Sequence, residues 1–177
     1  LHDAEIIPLD KRQDFLRALP SNGYFVEVGV CNGVNARNIM EILKPSKLIL
    51  VDTWEGFEKQ YNNVLKIFKD RPNVIIHKML STQAAPLYPD NYFDCVYIDA
   101  NHSFECCYKD LNAWYPKVKF GGIISGHDYT DPANAENKRK GFGVVKAVDL
   151  FVKENNLEIS FLSNVSRARD YAIRKPS

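Results

Sequence analysis

The heptapeptide Glu27-Val28-Gly29-Val30-Cys31-Asn32-Gly33 connects a predicted buried strand to a predicted helix. An apolar run at residues 24–28 leads into it, and residues 36–43, which are apolar at helical spacing, follow it. Gly29 and Gly33 let the backbone turn sharply and approach a ligand closely. The free N–H groups and positive dipole end of the following helix suit a carboxylate or phosphate. This segment therefore predicts a ligand-binding loop between a strand and a helix.

Outward from this loop, apolar runs bounded by turn residues alternate with amphipathic stretches along the chain. Such alternation predicts an α/β fold, a Rossmann-like, doubly wound and mostly parallel sheet with helices on both faces. Seven strands are expected in this sheet. The predicted strands are residues 24–28, 47–51, 74–77, 93–98, 123–125, 157–162 and 170–173, and the predicted helices are residues 10–19, 36–43, 58–70, 103–114 and 144–152.

Length and composition limit the class of protein. The 177 residues fit one domain, in which residues 1–22 are expected to form an N-terminal helix and linker and residues 129–143 a mobile loop. A hydrophobic fraction of 45% argues against disorder. A net charge of +1 gives no excess of positive charge with which to bind nucleic acid or an anionic membrane. No apolar stretch approaches the roughly 20 residues that span a bilayer. Four cysteines without a Cys-x-x-Cys pair are typical of reduced thiols in a cytoplasmic protein.

Polar side chains cluster where predicted strands end. Residues 27–33, Asp52, Asp99, His127 and Asp128 each lie at or directly after the end of a strand. In open α/β sheets, ligands bind beyond the carboxyl ends of the strands, near the point where the strand order reverses. The sequence therefore predicts that these residues line one cleft.

Asp52 lies nineteen residues after Gly33, where a carboxylate can accept hydrogen bonds from both hydroxyls of a ribose. This spacing suits a dinucleotide or S-adenosylmethionine. A dinucleotide fingerprint has three glycines as G-x-G-x-x-G, and residues 27–33 lack the first and the third. Glu27 takes the place of the first glycine, where an acid would repel a pyrophosphate but attract an ammonium or sulfonium. S-adenosylmethionine is therefore the expected cofactor, and a nicotinamide dinucleotide is the alternative.

Residues 27–33 resemble the first motif of the class I S-adenosylmethionine-dependent methyltransferases, acid-x-Gly-x-Gly-x-Gly, with Cys31 at the middle glycine. Three further segments resemble the branch of small-molecule and sugar O-methyltransferases (methyltransferase domain family 24-like). They are VYIDANHSFE at residues 96–105, KFGGIISGHDY at residues 119–129 and GVVKAVD at residues 143–149. The resemblance covers residues 23–162 and implies that the last strand of the sheet is antiparallel.

The resemblance also implies where the cofactor contacts the chain. Glu27 and Asn32 are expected at its methionine end, Asp52 at its ribose, and Trp54 or the segment 79–81 at its adenine. Trp54 has the alternative role of a core or lid aromatic. The expected cofactor-binding residues are Glu27, Gly29, Asn32, Gly33, Asp52, Thr53, Trp54, Leu80, Ser81 and Asp99.

Methyl transfer to a hydroxyl requires that the acceptor is aligned and loses its proton. Asp99, His102, His127 and Asp128 are titratable and are predicted at adjacent strand ends, so they are the expected catalytic residues. Because an ordinary histidine titrates near ~6.5, either could act as a base, and we favour His102, oriented by Asp99 or Asp128. His127 and Asp128 have the alternative role of capping a turn.

A divalent metal such as Mg²⁺ is a second way to activate the hydroxyl. Related O-methyltransferases hold a cation with acids at these strand ends, and Asp99 and Asp128 could do so with Asn101 as a third ligand. Asn101 and His127, however, stand where metal-dependent relatives often carry acids. We therefore expect a reaction without a metal.

The expected function is O-methylation of a small polar acceptor such as a sugar hydroxyl. A nicotinamide-dependent oxidoreductase and a non-catalytic S-adenosylmethionine-binding module are the alternatives. The module is considered because only about twenty residues precede the first strand, whereas many methyltransferases build the acceptor pocket from an N-terminal segment. The acceptor lid is then expected from residues 129–143, from the partner subunit of a homodimer, or from residues before Leu1.

Overall fold

A central sheet of eight strands, flanked by helices, forms the part of the chain that the structure describes. The computed structural model describes residues 5–7 by their backbone and residues 12–130, 142–163 and 169–177 in full. The strands are β1 (Glu5–Ile7), β2 (Tyr24–Val28), β3 (Lys47–Asp52), β4 (Val74–Lys78), β5 (Phe93–Ile98), β6 (Val118–Gly126), β7 (Phe161–Ser163) and β8 (Tyr171–Arg174). The helices are α1 (Arg12–Arg17), α2 (Val34–Leu43), α3 (Glu58–Phe68), α4 (Ser81–Ala84), α5 (Phe104–Trp114) and α6 (Val144–Glu154).

The strand order is β1-β7-β8-β6-β5-β2-β3-β4. Among the described strands, β8 alone runs antiparallel to its neighbours, and every other pair is parallel. The predicted doubly wound sheet with an antiparallel last strand is therefore confirmed. The sheet includes one strand more than expected. The extra strand is β1, which lies within residues 1–22, where the sequence predicts only a helix and a linker, and pairs with β7.

Element boundaries differ most at the two ends of the chain. The helix predicted at residues 10–19 is observed as α1, and residues 8–11 lie outside the described ranges. The strand predicted at residues 157–162 begins only at Phe161. Leu157 instead closes the end of α6 by donating its N–H to the Val152 carbonyl (2.9 Å). Its apolar side chain and that of Ile159 are buried although neither residue pairs with a strand. The apolar pattern at residues 157–160 therefore indicates burial in the core and not membership of the sheet.

Two apolar cores lie on opposite faces of the sheet. One is built under α5 and α6 and includes Trp114 and Phe151. The other lies under α1, α2 and α3 and includes Phe15, Ile39 and Phe68. Helices on both faces are thus confirmed, and none of the described helices has the length and apolar character of a membrane span.

The reversal of strand order beside β2 positions the functional site. β2 lies between β3 and β5, so the chain moves outward in one direction from β2 to β3 and β4 and then returns to the other side of β2 as β5. The carboxyl ends of β2 and β5 diverge at such a point and leave a crevice for a ligand. Of the loop predicted at residues 129–143, residues 131–141 lie outside the described part of the chain.

Candidate active site

A cavity of about 1000 Å³ opens beyond the carboxyl ends of β2, β3 and β5. Its size is that of natural small-molecule sites. Every residue of the predicted cofactor set lines this cavity except Gly33. Gly33 instead caps the start of α2 with a φ of 81°, and its N–H closes the turn onto the Val30 carbonyl (2.9 Å).

The Asp52 carboxylate holds the loop after β2 in shape. One of its oxygens accepts the backbone N–H groups of Val30 and Cys31, both at 2.9 Å, and the other accepts that of Trp54 at 3.0 Å. Cys31 has a positive φ of 50°, the conformation for which the related motif carries a glycine. Because three backbone donors already use the carboxylate, its remaining acceptor capacity for a ribose lies mainly on the oxygen that faces Trp54.

Trp54 belongs largely to the core. Its side chain is 1% exposed, and its indole N–H donates to the Cys31 carbonyl (2.7 Å) while its ring packs against Tyr61. This arrangement fits the alternative role of Trp54 as a core aromatic that supports the loop. Leu80, by contrast, is 54% exposed at the cavity, where it is free to contact a flat apolar ligand.

Glu27 places a buried carboxyl group at the cavity wall. Asn35 donates to one of its oxygens (2.9 Å), and the other oxygen is buried with no hydrogen-bond partner among the described residues. Burial raises the pKa of Glu27 to about 8, against the opposing effects of Asn35 and Arg12. A cationic ligand group would satisfy the unpaired oxygen, so this residue fits the ammonium and sulfonium of S-adenosylmethionine.

Three of the four predicted catalytic residues meet at one side of the cavity: Asp99 and His102 line it, and Asp128 contacts His102 from outside the lining. His102 Nε2 lies 2.9 Å from an Asp128 carboxylate oxygen and 3.5 Å from one of Asp99. Hydrogen bonds to Asp128 and then to Asp99 raise the pKa of His102 to about 9, against desolvation. Burial opposes ionisation of Asp128, but its hydrogen bond with His102 holds its pKa below the ordinary value.

His127 lies apart from these three residues. It is absent from the cavity lining, and its Nδ1 pairs with the buried carboxylate of Asp170 at 3.1 Å. Asp170 also accepts a hydrogen bond from Tyr97. This geometry places His127 in a buried polar network behind the cavity.

Arg12 is a cavity residue that the sequence analysis missed. Its guanidinium pairs with Asp99 (3.1 Å) and with Asp170 (3.7 Å), and it lies over the Tyr97 ring. Arg12 lies three and four residues before the buried Phe15 and Leu16, on the same face of α1, but most arginines at the start of a short helix are solvated, so the sequence did not single it out. It brings a positive charge to the acidic side of the cavity.

The residues fit a divalent metal poorly. Asp99, His102 and Asp128 offer ligand atoms within 4.8 Å of one another. Asn101, the candidate third oxygen ligand, instead accepts a hydrogen bond from the backbone N–H of Ser103 (2.9 Å). Mg²⁺ prefers several oxygen ligands, and the Arg12 guanidinium already pairs with Asp99.

Comparison with known proteins identifies the class of this chain. A family model described as a methyltransferase domain matches residues 26–129, which is more than half of the chain. The chain therefore belongs to this methyltransferase family and is an S-adenosylmethionine-dependent methyltransferase. No curated protein matches it, and no comparison supports an oxidoreductase or a non-catalytic module.

Solved structures share the fold at low sequence identity. Fibrillarin from Aeropyrum pernix, in complex with natively bound S-adenosyl-L-methionine, is 12% identical with a TM-score of 0.68, over 91% of this chain and 72% of fibrillarin. The N-methyltransferase NodS from Bradyrhizobium japonicum is 12% identical with a TM-score of 0.71, over 94% and 95% of the two chains. A methyltransferase from Aquifex aeolicus is 14% identical with a TM-score of 0.67, over 93% and 94%.

Proposed function

We propose that this methyltransferase transfers its methyl group to a hydroxyl of a small polar acceptor such as a sugar. One observation carries the proposal: His102 is held at the cavity wall by hydrogen-bonding contacts with Asp128 and Asp99. A hydroxyl must lose its proton when it attacks the methyl carbon, and a histidine oriented by carboxylates is suited to take that proton.

The cofactor supplies an electrophilic methyl group on its sulfonium. Residues of the chain bind the cofactor, orient the acceptor and remove a proton from it. Glu27 offers its unpaired oxygen to the cationic methionine end, and Asp52 keeps the loop after β2 in its binding shape. In neutral His102 the Nε2–H donates to Asp128, so the ring accepts the hydroxyl proton at Nδ1. Asp99 and Asp128 then stabilise the imidazolium that forms, so the proposal requires no metal.

A labelled-methyl assay tests the proposal. Purified protein is incubated with methyl-labelled S-adenosylmethionine and a panel of sugars, glycosides, phenols and primary amines, with and without EDTA. We expect label in hydroxyl acceptors, no effect of EDTA, and a rate lower by about 10²-fold in Asp99→Asn. The control Asp70→Asn, which changes a side chain that is 84% exposed, should keep the wild-type rate. Label found only in amines would overturn the proposal, and a loss of transfer on chelation would overturn its metal-free part.

Cofactor binding is also expected to release a proton from Glu27. Its carboxyl group, which faces Asn35, Arg12, Asp99 and Asp52, has a pKa raised by burial to about 8, so it is mostly protonated at pH 7. A ligand ammonium favours the carboxylate, so affinity for S-adenosylhomocysteine should rise nearly tenfold per pH unit from pH 6 to 7 and level off near pH 8.

Calorimetry at pH 7 in two buffers of different ionisation enthalpy measures this proton. Wild type should release close to one proton per bound S-adenosylhomocysteine, and Glu27→Gln should release none. An analogue without the amino group should also release none from the wild type. Equal proton release by wild type and Glu27→Gln would place the ammonium elsewhere.

The proposal also includes the cellular compartment and the oligomeric state of the protein. All four cysteines are free thiols, and Cys95 and Cys107 are buried, which supports a reducing compartment such as the cytoplasm. A homodimer whose partner covers the acceptor side of the cavity is the assembly that we propose to test by light scattering.

A further inference from the structure

The imidazole of His102 is stacked on an aromatic ring that has no role in the function proposed so far. The centroids of the His102 and Phe142 rings lie 5.0 Å apart, and the two planes are inclined by 29°. Stacked aromatic pairs commonly lie at such distances. Phe142 is partly buried and packs against the core under α5 and α6, so its ring is supported from behind. A supported ring restricts the tilt of the imidazole that lies on it.

The backbone beside Phe142 is tied to the backbone of His102. The Gly143 N–H donates to the His102 carbonyl (2.8 Å), and α6 begins at the next residue. An added Cβ at Gly143 would lie 2.6 Å from the Phe104 backbone nitrogen, so the start of α6 approaches the start of α5 as closely as only a glycine permits. Because α5 begins two residues after His102, this contact fixes Phe142 and His102 relative to each other.

Three parts of the imidazole then have three different neighbours. Nε2 lies 2.9 Å from the Asp128 carboxylate, one face of the ring lies on Phe142, and Nδ1 remains for a ligand in the cavity that His102 lines. A hydrogen bond at Nε2 alone leaves the plane of the ring free to tilt, because the torsion that turns an imidazole about its bond to Cβ has broad minima. Such a tilt moves Nδ1 away from the acceptor, and the stacking on Phe142 opposes it.

We propose that Phe142 is a positioning residue for methyl transfer, whose ring holds the imidazole of His102 in the plane in which Nε2 meets Asp128 and Nδ1 faces the acceptor hydroxyl. The inference rests on the proposed function, in which His102 is the base. Alignment matters for this step, since a displacement of about 1 Å can cost about 10²-fold in rate. The phenyl face also attracts the positive charge that the imidazolium carries after it takes the proton.

Steady-state kinetics of three variants test this role, with a hydroxyl acceptor from the labelled-methyl assay. Phe142→Leu keeps an apolar side chain but loses the flat ring. Its kcat should fall by about 10-fold, while KM for the acceptor and affinity for S-adenosylhomocysteine stay within about twofold of wild type. Phe142→Tyr keeps the stacked ring and should retain most of the wild-type rate. Phe120→Leu is the matched control, because Phe120 is 66% exposed and lies outside the cavity lining, and it should keep the full rate.

Proton NMR of protein with isotope-labelled histidine detects the stacking without turnover. A proton over a phenyl face is shifted upfield by the ring current, and the His102 signals are identified by their loss in His102→Ala. These signals should move downfield in Phe142→Leu and stay in place in Phe142→Tyr and Phe120→Leu.

The two measurements separate this inference from the proposed function. Signals that do not move in Phe142→Leu, or a kcat that does not fall although they move, would overturn the inference. A raised KM with an unchanged kcat would also overturn it, because Phe142 would then contact the acceptor. Full activity of His102→Ala would overturn the proposed function itself, and the NMR signals distinguish that failure because they report the stack independently of the reaction.

Discussion

Replacing Gly29 by alanine is expected to destabilise the protein by about 3–5 kcal/mol, which lowers its melting temperature by about 10 °C or more. Gly29 has a φ of +87°, and an added Cβ would lie 2.0 Å from the Asp99 carbonyl oxygen and 2.6 Å from the Ala100 Cα. Both contacts are with backbone, so no side-chain movement can relieve them. The strand end that carries Asp99 would have to separate from the loop after β2.

Two other glycines provide graded controls for Gly29→Ala. Gly56 has a φ of +74° with nothing within 4 Å of an added Cβ, so Gly56→Ala should cost only about 1 kcal/mol of backbone strain. Gly33→Ala should lie between the two, because its Cβ would meet the Val64 side chain at 3.1 Å. Thermal and urea unfolding of the three variants measure this order. A Gly29→Ala protein as stable as Gly56→Ala would contradict the close packing of the loop against β5.

Replacing His102 by alanine should lower the rate of methyl transfer by about 10²- to 10⁴-fold without weakening S-adenosylhomocysteine binding. The reason is that the proposed base would be lost while the cofactor contacts remain. Steady-state transfer assays give the rate, and calorimetry gives the affinity. His127→Asn is the matched control, because His127 lies outside the cavity lining and should leave the rate within about tenfold of wild type.

The pH profile tests the same role of His102. A base whose pKa is raised to about 9 is mostly protonated at pH 7, so the wild-type rate should rise about tenfold per pH unit below pH 8. The hydrogen bond to Asp128 contributes most to that raised pKa, so Asp128→Asn should shift the rising limb toward lower pH. A limb that stays in place in Asp128→Asn, or full activity of His102→Ala, would remove His102 from the mechanism.

Residues next to strand ends were the most predictable part of the site. Alternating apolar and amphipathic segments predict the parallel sheet, and a parallel sheet brings the residues after its strands to one edge. Glu27, Asp52 and Asp99 could therefore be assigned to one cavity from the sequence. His102 could be assigned with them because it follows Asp99 within one helical turn.

Residues on helices and at the chain ends were not predictable in this way. Arg12 and Asp110 reach the cavity through the orientation of α1 and α5, and a polar residue on an amphipathic helix does not reveal that orientation. β1 is three residues long, too short for a recognisable alternation. His127 follows a strand as predicted, but the side chain points to Asp170, and strand position alone does not specify that direction.

Cys31 gives this methyltransferase a thiol that can be modified covalently at the cofactor cavity. Its thiol is exposed at the cofactor cavity, at a position where the related motif carries a glycine, while Cys106, which also lines the cavity, is only partly exposed and Cys95 and Cys107 are buried. Reversible disulfide tethering at Cys31 would therefore screen thiol-bearing fragments directly against the cofactor cavity. An electrophilic ligand built from such fragments would label this enzyme and spare relatives that have glycine at this position.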